Sequence, residues 1–125
     1  MNIPGELKYS NDHEWVKVLP DGTVEIGLTD YAQNALGDVV FVNLPEEGDA
    51  LSAGDALGDV ESVKAVSDVL CPVGGTVSEI NEEILDSPEA INKAPYESWL
   101  IRLKDAEGVD GLMDAAAYEA FLGTL

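Results

Sequence analysis

A lysine stands alone in "DVESVKAVSDVL", between Val63 and Ala65, in a chain with five lysines and a single arginine. A primary amine on a flexible four-carbon stem is usually a hydrated point charge, but it is also the side chain most readily acylated. Lys64 therefore has two readings, a solvating residue or an attachment point, and its neighbours alone leave both open. Glu61 precedes it by three positions and Asp68 follows by four; on local grounds each is an ordinary strand carboxylate. Glu14 follows the only histidine in "HEWV", where it too reads as solvated charge by default. His13 has no nucleophile, second histidine or metal-binding cluster to work with, and it reads as structural. Cys71, the only cysteine, can form no internal disulfide and cannot complete a zinc site, so its place in a strand pattern reads as core.

The segments that must position these residues are mostly extended. "HEWVKVL" (13–19), the turn Pro20-Asp21-Gly22 and "TVEIGL" (23–28) predict a hairpin with Val24, Ile26 and Leu28 on one face. Asp30 and Gln33 form a capping-box-like pair, and Gly37 offers a stop, predicting a helix over 30–36. "DVVFVNL" (38–44) reads as a strand buried on both faces, followed by turns at Gly48-Asp49 and Gly54-Asp55. Three more strand-like runs follow: "DVESV", "AVSDVLCPV" and "GTVSEI". Ser87 with Pro88 predicts a short helix or turn, "WLIRLK" (99–104) a strand, and Asp114 a cap for a last helix with Ala115, Tyr118 and Leu122 on one face.

Many short strands with turn residues between them predict a mainly β single domain, 1–125, built as a small sandwich or barrel with accessory helices. If the runs flanking Lys64 pair as a hairpin, Lys64 stands at its tip, and Val60, Val63, Val66 and Val69 pin the two arms to the core. That tip has no Gly, Asn or Pro, which is poor chemistry for a tight turn.

The chain has 125 residues and is 46 % apolar, so it can close one core in spite of a formal charge of −19. A surface this acidic repels nucleic acid and anionic membranes; it either favours basic protein partners or serves only solubility or a salt-adapted host. No stretch approaches the roughly 18 apolar residues of a membrane span. The opening "MNIPGELKYS" carries neither a signal peptide nor a transit pattern, so the expected setting is a bacterial cytoplasm, with a processed mitochondrial chain as the alternative.

The segment from Glu46 to Asn81 resembles the biotinyl/lipoyl carrier module: paired Gly-Asp turns before the lysine, Pro-x-x-Gly-x-Val after it, and Val-Lys-Ala where biotin carriers have Met-Lys-Met. "HEWV", "GLTDYAQNALGDVVFVNLPE" (27–46), "ESVKAVSD" (61–68), "INKAPYESWLIRLK" (91–104) and "LMDAAAYEAFL" (112–122) extend the resemblance to the glycine cleavage H-protein family along nearly the whole chain. The resemblance implies a barrel-sandwich hybrid with short peripheral helices, one of them C-terminal. It implies a carrier and not an enzyme, with lipoic acid in amide linkage to Lys64, which takes the formal charge from −19 to −20. The implied partners are glycine decarboxylase (P protein), aminomethyltransferase (T protein), dihydrolipoamide dehydrogenase (L protein) and the lipoylating enzymes, which would read Glu61. Glu14 and Asp68, with an apolar wall from Leu28 and Tyr31, would line a cleft for the loaded arm. Position 12, commonly a small hydroxyl residue in the family, is Asp12 here, and Tyr96-Glu97-Ser98-Trp99 lacks the family's glycine before the tryptophan. Two other functions use the same residues differently: a lipoyl relay that supplies other lipoylated proteins, and an acidic interaction module with no cofactor.

Overall fold

The structure, a computed structural model, describes residues 2–125. Among the described residues nine strands form two antiparallel sheets. β1 (Lys8–Tyr9), β2 (Glu14–Val18), β3 (Val24–Leu28), β5 (Ala50–Leu51), β8 (Gly74–Ile80) and β9 (Ile101–Glu107) make one sheet, in the order β1-β2-β3-β9-β8-β5. β4 (Val39–Asn43), β6 (Ala56–Ser62) and β7 (Val66–Leu70) make the other, in the order β4-β6-β7. Both sheets contribute to one core, which includes Ile26, Ile101 and Leu103 from the first and Val42, Val60 and Val69 from the second. Four short α-helices among the described residues lie outside, α1 (Asp30–Leu36), α2 (Glu82–Asp86), α3 (Ala90–Lys93) and α4 (Ala115–Leu122), with one 3-10 turn at Val109–Gly111. Under α4 a second cluster of Leu7, Tyr9, Trp15 and Tyr118 is sealed, with the Tyr9 and Tyr118 rings stacked at 4.7 Å. No helix among the described residues is long and apolar enough to cross a membrane.

The predicted hairpin is β2–β3, with Trp15 opposite Gly27 and Glu14 opposite Leu28. Val24, Ile26 and Leu28 share the core face as expected, and the other face of β3 is buried as well, with Trp15 packed against Gly27. Cys71 is buried and its thiol donates to the Val73 carbonyl; burial pushes it up to about 11, far from a reactive thiolate.

Several predicted features are corrected. The cap of α1 is Thr29, whose Oγ1 accepts from Ala32 N, while Asp30 sits in the first turn and accepts from the Gln33 side chain at 2.7 Å. β4 is not buried on both faces: Val40 and Phe41 are exposed, since a bulge interrupts the pairing between Val39 and Phe41 and no element covers the outer face there. Of the short helix or turn expected at Ser87-Pro88, the turn forms: Ser87 ends α2, Pro88 and Glu89 make a turn, and α3 begins at Ala90. β9 runs over Ile101–Glu107, two residues later than "WLIRLK" begins. Ser98, just before Trp99, is buried with its hydroxyl 2.8 Å from the Ala94 carbonyl and 3.0 Å from that of Ala90, so the loop closes through a side chain.

One glycine in the lysine-bearing sheet is set by sheer proximity. A Cβ on Gly58 would lie 2.0 Å from the Asn43 carbonyl oxygen, backbone against backbone. Gly58→Ala is expected to cost about 3 kcal/mol or more by forcing β4 and β6 apart, read as a lower denaturation midpoint. An unchanged midpoint would show that the strands do not approach this closely.

Candidate functional site

Lys64 lies at the apex of the β6–β7 hairpin, the middle of three residues between the strand ends Ser62 and Val66. Neither Val63 nor Lys64 has positive φ; among the described non-glycine residues only His13 and Asp105 do. The turn is closed by Ser62. Its backbone N–H donates to the Ala65 carbonyl at 2.8 Å, and its Oγ accepts from the N–H groups of Lys64 and Ala65, each at 3.2 Å. A serine hydroxyl thus does what Gly or Asn does in a conventional hairpin. The apex is also tied to the end of α1, because Val63 N–H donates to the Asp38 carbonyl at 3.1 Å. Ser62→Ala removes the shared acceptor, at about 1 kcal/mol, and is expected to speed amide hydrogen exchange at Lys64 and Ala65 several-fold. Unchanged exchange at both would remove Ser62 from this role.

Val60 and Val69 are buried and do pin the hairpin arms to the core, but Val63 and Val66 are exposed. The expectation that all four pin it is corrected: near the apex the sheet has outrun the core. The side chain of Lys64 is exposed and crosses Gly37, where a Cβ would sit 3.2 Å from Lys64 Cε and 3.6 Å from Nζ. Gly37 has φ 78°, a conformation that favours glycine, and its carbonyl accepts from Asn92 Nδ2 at 2.8 Å. Both ion pairs among the described residues belong to Arg102, with Glu25 and Glu79; Lys64 takes part in neither.

Beside the hairpin is a cleft of about 190 Å³, and its walls bring together Glu14, Leu28, Tyr31 and Asp68. These are the four residues that the family resemblance assigns to a cleft. Glu14 comes from the start of β2 and Leu28 from the end of its partner β3, directly opposite in the register. Tyr31, Ala32, Ala35 and Leu36 come from α1, and Asp68 from the edge strand β7. Asp12 reaches the same rim. Glu61 is not part of this wall; it lies on β6, opposite Phe41 on one side and Val66 on the other. Lys64 stands outside the wall as well, at the α1 end.

Glu14 is the chemically unusual member. It is 2 % exposed, and Ser10 Oγ donates to its Oε1 at 2.7 Å while accepting from its backbone N–H at 3.1 Å. Burial pushes its carboxyl up to about 7; the Ser10 hydrogen bond opposes this and the nearby Asp12 charge adds to it. A carboxyl half-ionised near neutrality, in a cleft with a mainly apolar wall, is suited to receive a cationic group. His13 holds the wall in place. Its φ is 71°, its ring lies 4.3 Å from that of Tyr31, and its Nδ1 is 2.8 Å from Tyr118 Oη, which is 2.9 Å from Thr29 Oγ1. Burial lowers its pKa and Asp12 works against that. This is the structural role read from the sequence, with the addition that the chain Thr29–Tyr118–His13 couples α4 to the cleft.

Ser10, Ser62 and Gly37 were not singled out for these roles. Ser10 stands four residues before Glu14 across a bend, and Ser62 two before Lys64; those short spacings are the only signal, because serine-to-backbone bonds leave no pattern in hydropathy.

The family model described as "Glycine cleavage H-protein" matches residues 7–124. Glycine cleavage system H protein 2 of Pseudomonas putida is 53 % identical over 124 residues, covering 98 % of each chain. A probable glycine cleavage system H protein of Pyrococcus furiosus is 55 % identical over 122 residues, covering 95 % of this chain and 91 % of its own. The crystal structure of a glycine cleavage system H protein from Mycobacterium marinum superposes with a TM-score of 0.90 at 42 % identity, covering 97 % of this chain and 99 % of that one.

Proposed function

This chain belongs to the glycine cleavage H-protein family, the non-catalytic lipoyl carriers of the glycine cleavage system, and from that premise we propose that Lys64 bears the lipoyl group as an amide. The bound group would supply a dithiolane whose sulfur accepts the aminomethyl unit at the P protein, yields it at the T protein and is reoxidised at the L protein. The observation that carries the assignment is an exposed amine, free of any ion pair, at a braced hairpin apex beside a cleft that holds a buried carboxyl.

The residues present suit such an arm. Crossing Gly37 takes the stem of Lys64 toward the end of α1, and Leu36, Ala35 and Ala32 continue from there along the cleft. Leu28 and Tyr31 exclude water from one side, while Glu14, held by Ser10, and Asp68 offer anions to a carried ammonium group. The whole chain would act as one carrier domain, and its charge of −19 would steer it to basic docking faces on its partners. A bacterial cytoplasm is the proposed setting, in keeping with the bacterial relatives.

Intact mass after expression with lipoate should rise by one lipoyl group, located on Lys64 by peptide mapping. Modification at any other lysine, or none, would overturn the assignment. Activity reconstituted with P and T proteins then separates a glycine cleavage carrier from a lipoyl relay.

A further inference from the structure

Between α1 and β4 the chain passes through Gly37, Asp38 and Val39, and it is held from two directions. From one, the carboxamide of Asn92 donates through Nδ2 to the Gly37 carbonyl and accepts at Oδ1 from the Val39 N–H, each at 2.8 Å. Bonds to the carbonyl of one residue and the N–H of the second after it are what a strand residue makes to a parallel neighbour, so here a side chain stands in for a strand. From the other, Val63 N–H in the hairpin turn donates to the Asp38 carbonyl at 3.1 Å. Asn92 Nδ2 also donates to Gln33 Oε1 at 3.1 Å, and Gln33 Nε2 donates to Asp30 Oδ1 at 2.7 Å. Both ends of the carboxamide are thus matched to partners of the right kind, which fixes its orientation. Asn92 belongs to α3, which is anchored by buried Ile91 and by the Ser98 hydroxyl on the Ala90 and Ala94 carbonyls.

We propose that Asn92 is a positioning residue for the carried group: by setting the course of Gly37, Asp38 and Val39 it aims the arm on Lys64 into the cleft. The inference rests on Lys64 being the lipoyl site. The lysine stem lies across Gly37, its Cε 3.2 Å from where a Cβ would stand, and Gly37 holds a left-handed φ of 78°. Leu36, the residue before it, already lines the cleft. The peptide that Asn92 grips is therefore both the surface under the base of the arm and the entry to the apolar wall. A small tilt there displaces the far end of a long arm by several times as much, and the far end carries the ammonium group that Glu14 and Asp68 receive. The same grip fixes the Asp38 carbonyl, and through it Val63, so the surface and the apex move as one. Asn92 is not among the residues lining the cleft, and it acts on the arm only through this segment. Asn92→Asp keeps the shape and the acceptor for Val39 N–H, but it sets an oxygen against the Gly37 carbonyl and Gln33 Oε1.

The test compares the native chain with Asn92→Asp, Asn92→Ala and Ser98→Ala, each full length, lipoylated and loaded by glycine decarboxylase, at a temperature well below their unfolding midpoints. Should Asn92→Asp not fold, Asn92→Ala carries the test. In the Asn92 variants, ammonia release without the T protein should quicken about tenfold or more, and hydrogen exchange at the Val63 amide should quicken with it. Lipoyl attachment needs the amine exposed but not aimed, and it should keep its native kcat/KM. Ser98→Ala loosens the anchor of the same helix without touching residues 37–39, so it should lower the unfolding midpoint and leave ammonia release at the native rate. Native release from the Asn92 variants would overturn the positioning role. So would equal acceleration in Ser98→Ala, or a fall in attachment as large as the gain in release, because either would make Asn92 a support of the fold at large. If the native chain itself takes no lipoyl group at Lys64, the site assignment fails first and takes this inference with it, an outcome distinct from the others.

Discussion

Lys64→Arg is expected to fold as the native chain does, to acquire no lipoyl group, and to support glycine cleavage at least about 1000-fold more slowly, since the reactive sulfur belongs to the cofactor and not to the protein. The fold should be unaffected for reasons visible at the apex. Lys64 is exposed, it is absent from both ion pairs, and the turn is closed by Ser62 and by backbone atoms, none of which depend on the lysine side chain. An exposed substitution of this kind changes stability by less than about 0.5 kcal/mol. Arginine keeps the charge, so long-range steering by the acidic surface is preserved while the acylatable amine is lost. That makes it a sharper test than alanine. A cofactor-free acidic adaptor would bind its partners as before and show no loss, and either result is read from a reconstituted assay alongside intact mass. Retained glycine cleavage activity in Lys64→Arg would sink the carrier assignment for this residue.

The parts of the site that were legible in the sequence are those fixed by short-range chemistry. Pro20-Asp21-Gly22 between two apolar-alternating runs encodes the β2–β3 hairpin, and that hairpin sets Glu14 opposite Leu28. The alternation on either side of Lys64 encodes β6 and β7 and puts the amine at an apex. The cleft itself was not readable from pattern. Glu14 and Asp68 lie on strands of different sheets, and only the packing of the two sheets brings them together, so the family resemblance had to supply them. β4 misled because a continuous apolar run looks the same whether it is buried on both faces or exposed on one; Val40 and Phe41 differ from Val39 and Val42 only in what lies above them. α2 was passed over because five residues are too few for a helical period, although Asn81, whose Oδ1 accepts from Glu83 N, is a normal cap. Thr29 was displaced as cap by Asp30 on the strength of the Asp30–Gln33 pair, which forms, but one position inside the helix.

Glu14→Gln should make a chain that is more stable and a worse carrier. Its carboxyl goes from the ordinary 4.5 to about 7 in the fold, principally through burial. A raised carboxyl pKa means that the native state holds this proton more tightly than the unfolded state. The stabilisation is fully present below pH 4.5 and is lost as pH rises through about 7. The ionised form then costs roughly 2–3 kcal/mol above neutrality. Glutamine keeps an oxygen for the Ser10 hydroxyl and has no charge to desolvate, so its unfolding free energy should exceed the native value at pH 8 by about that amount and should match it near pH 4. The comparison isolates Glu14 from the charges around it. Asp12 and Asp68 face the same cleft in both proteins, and His13, whose pKa is lowered by burial, works in the opposite sense, costing stability as pH falls below 6.5. Function should move the other way. A carried ammonium group draws the Glu14 carboxyl into its ionised form, and the charge-assisted hydrogen bond is worth about 1.5–3 kcal/mol. Without it, loss of the amine from the loaded carrier to water should accelerate roughly 10- to 100-fold, measured as ammonia release in the absence of the T protein. The cleft is then a place where folding stability is given up to hold an anion ready for cargo. A Glu14→Gln chain that is no more stable at pH 8, or that retains its amine as long as the native carrier, would remove that role from Glu14.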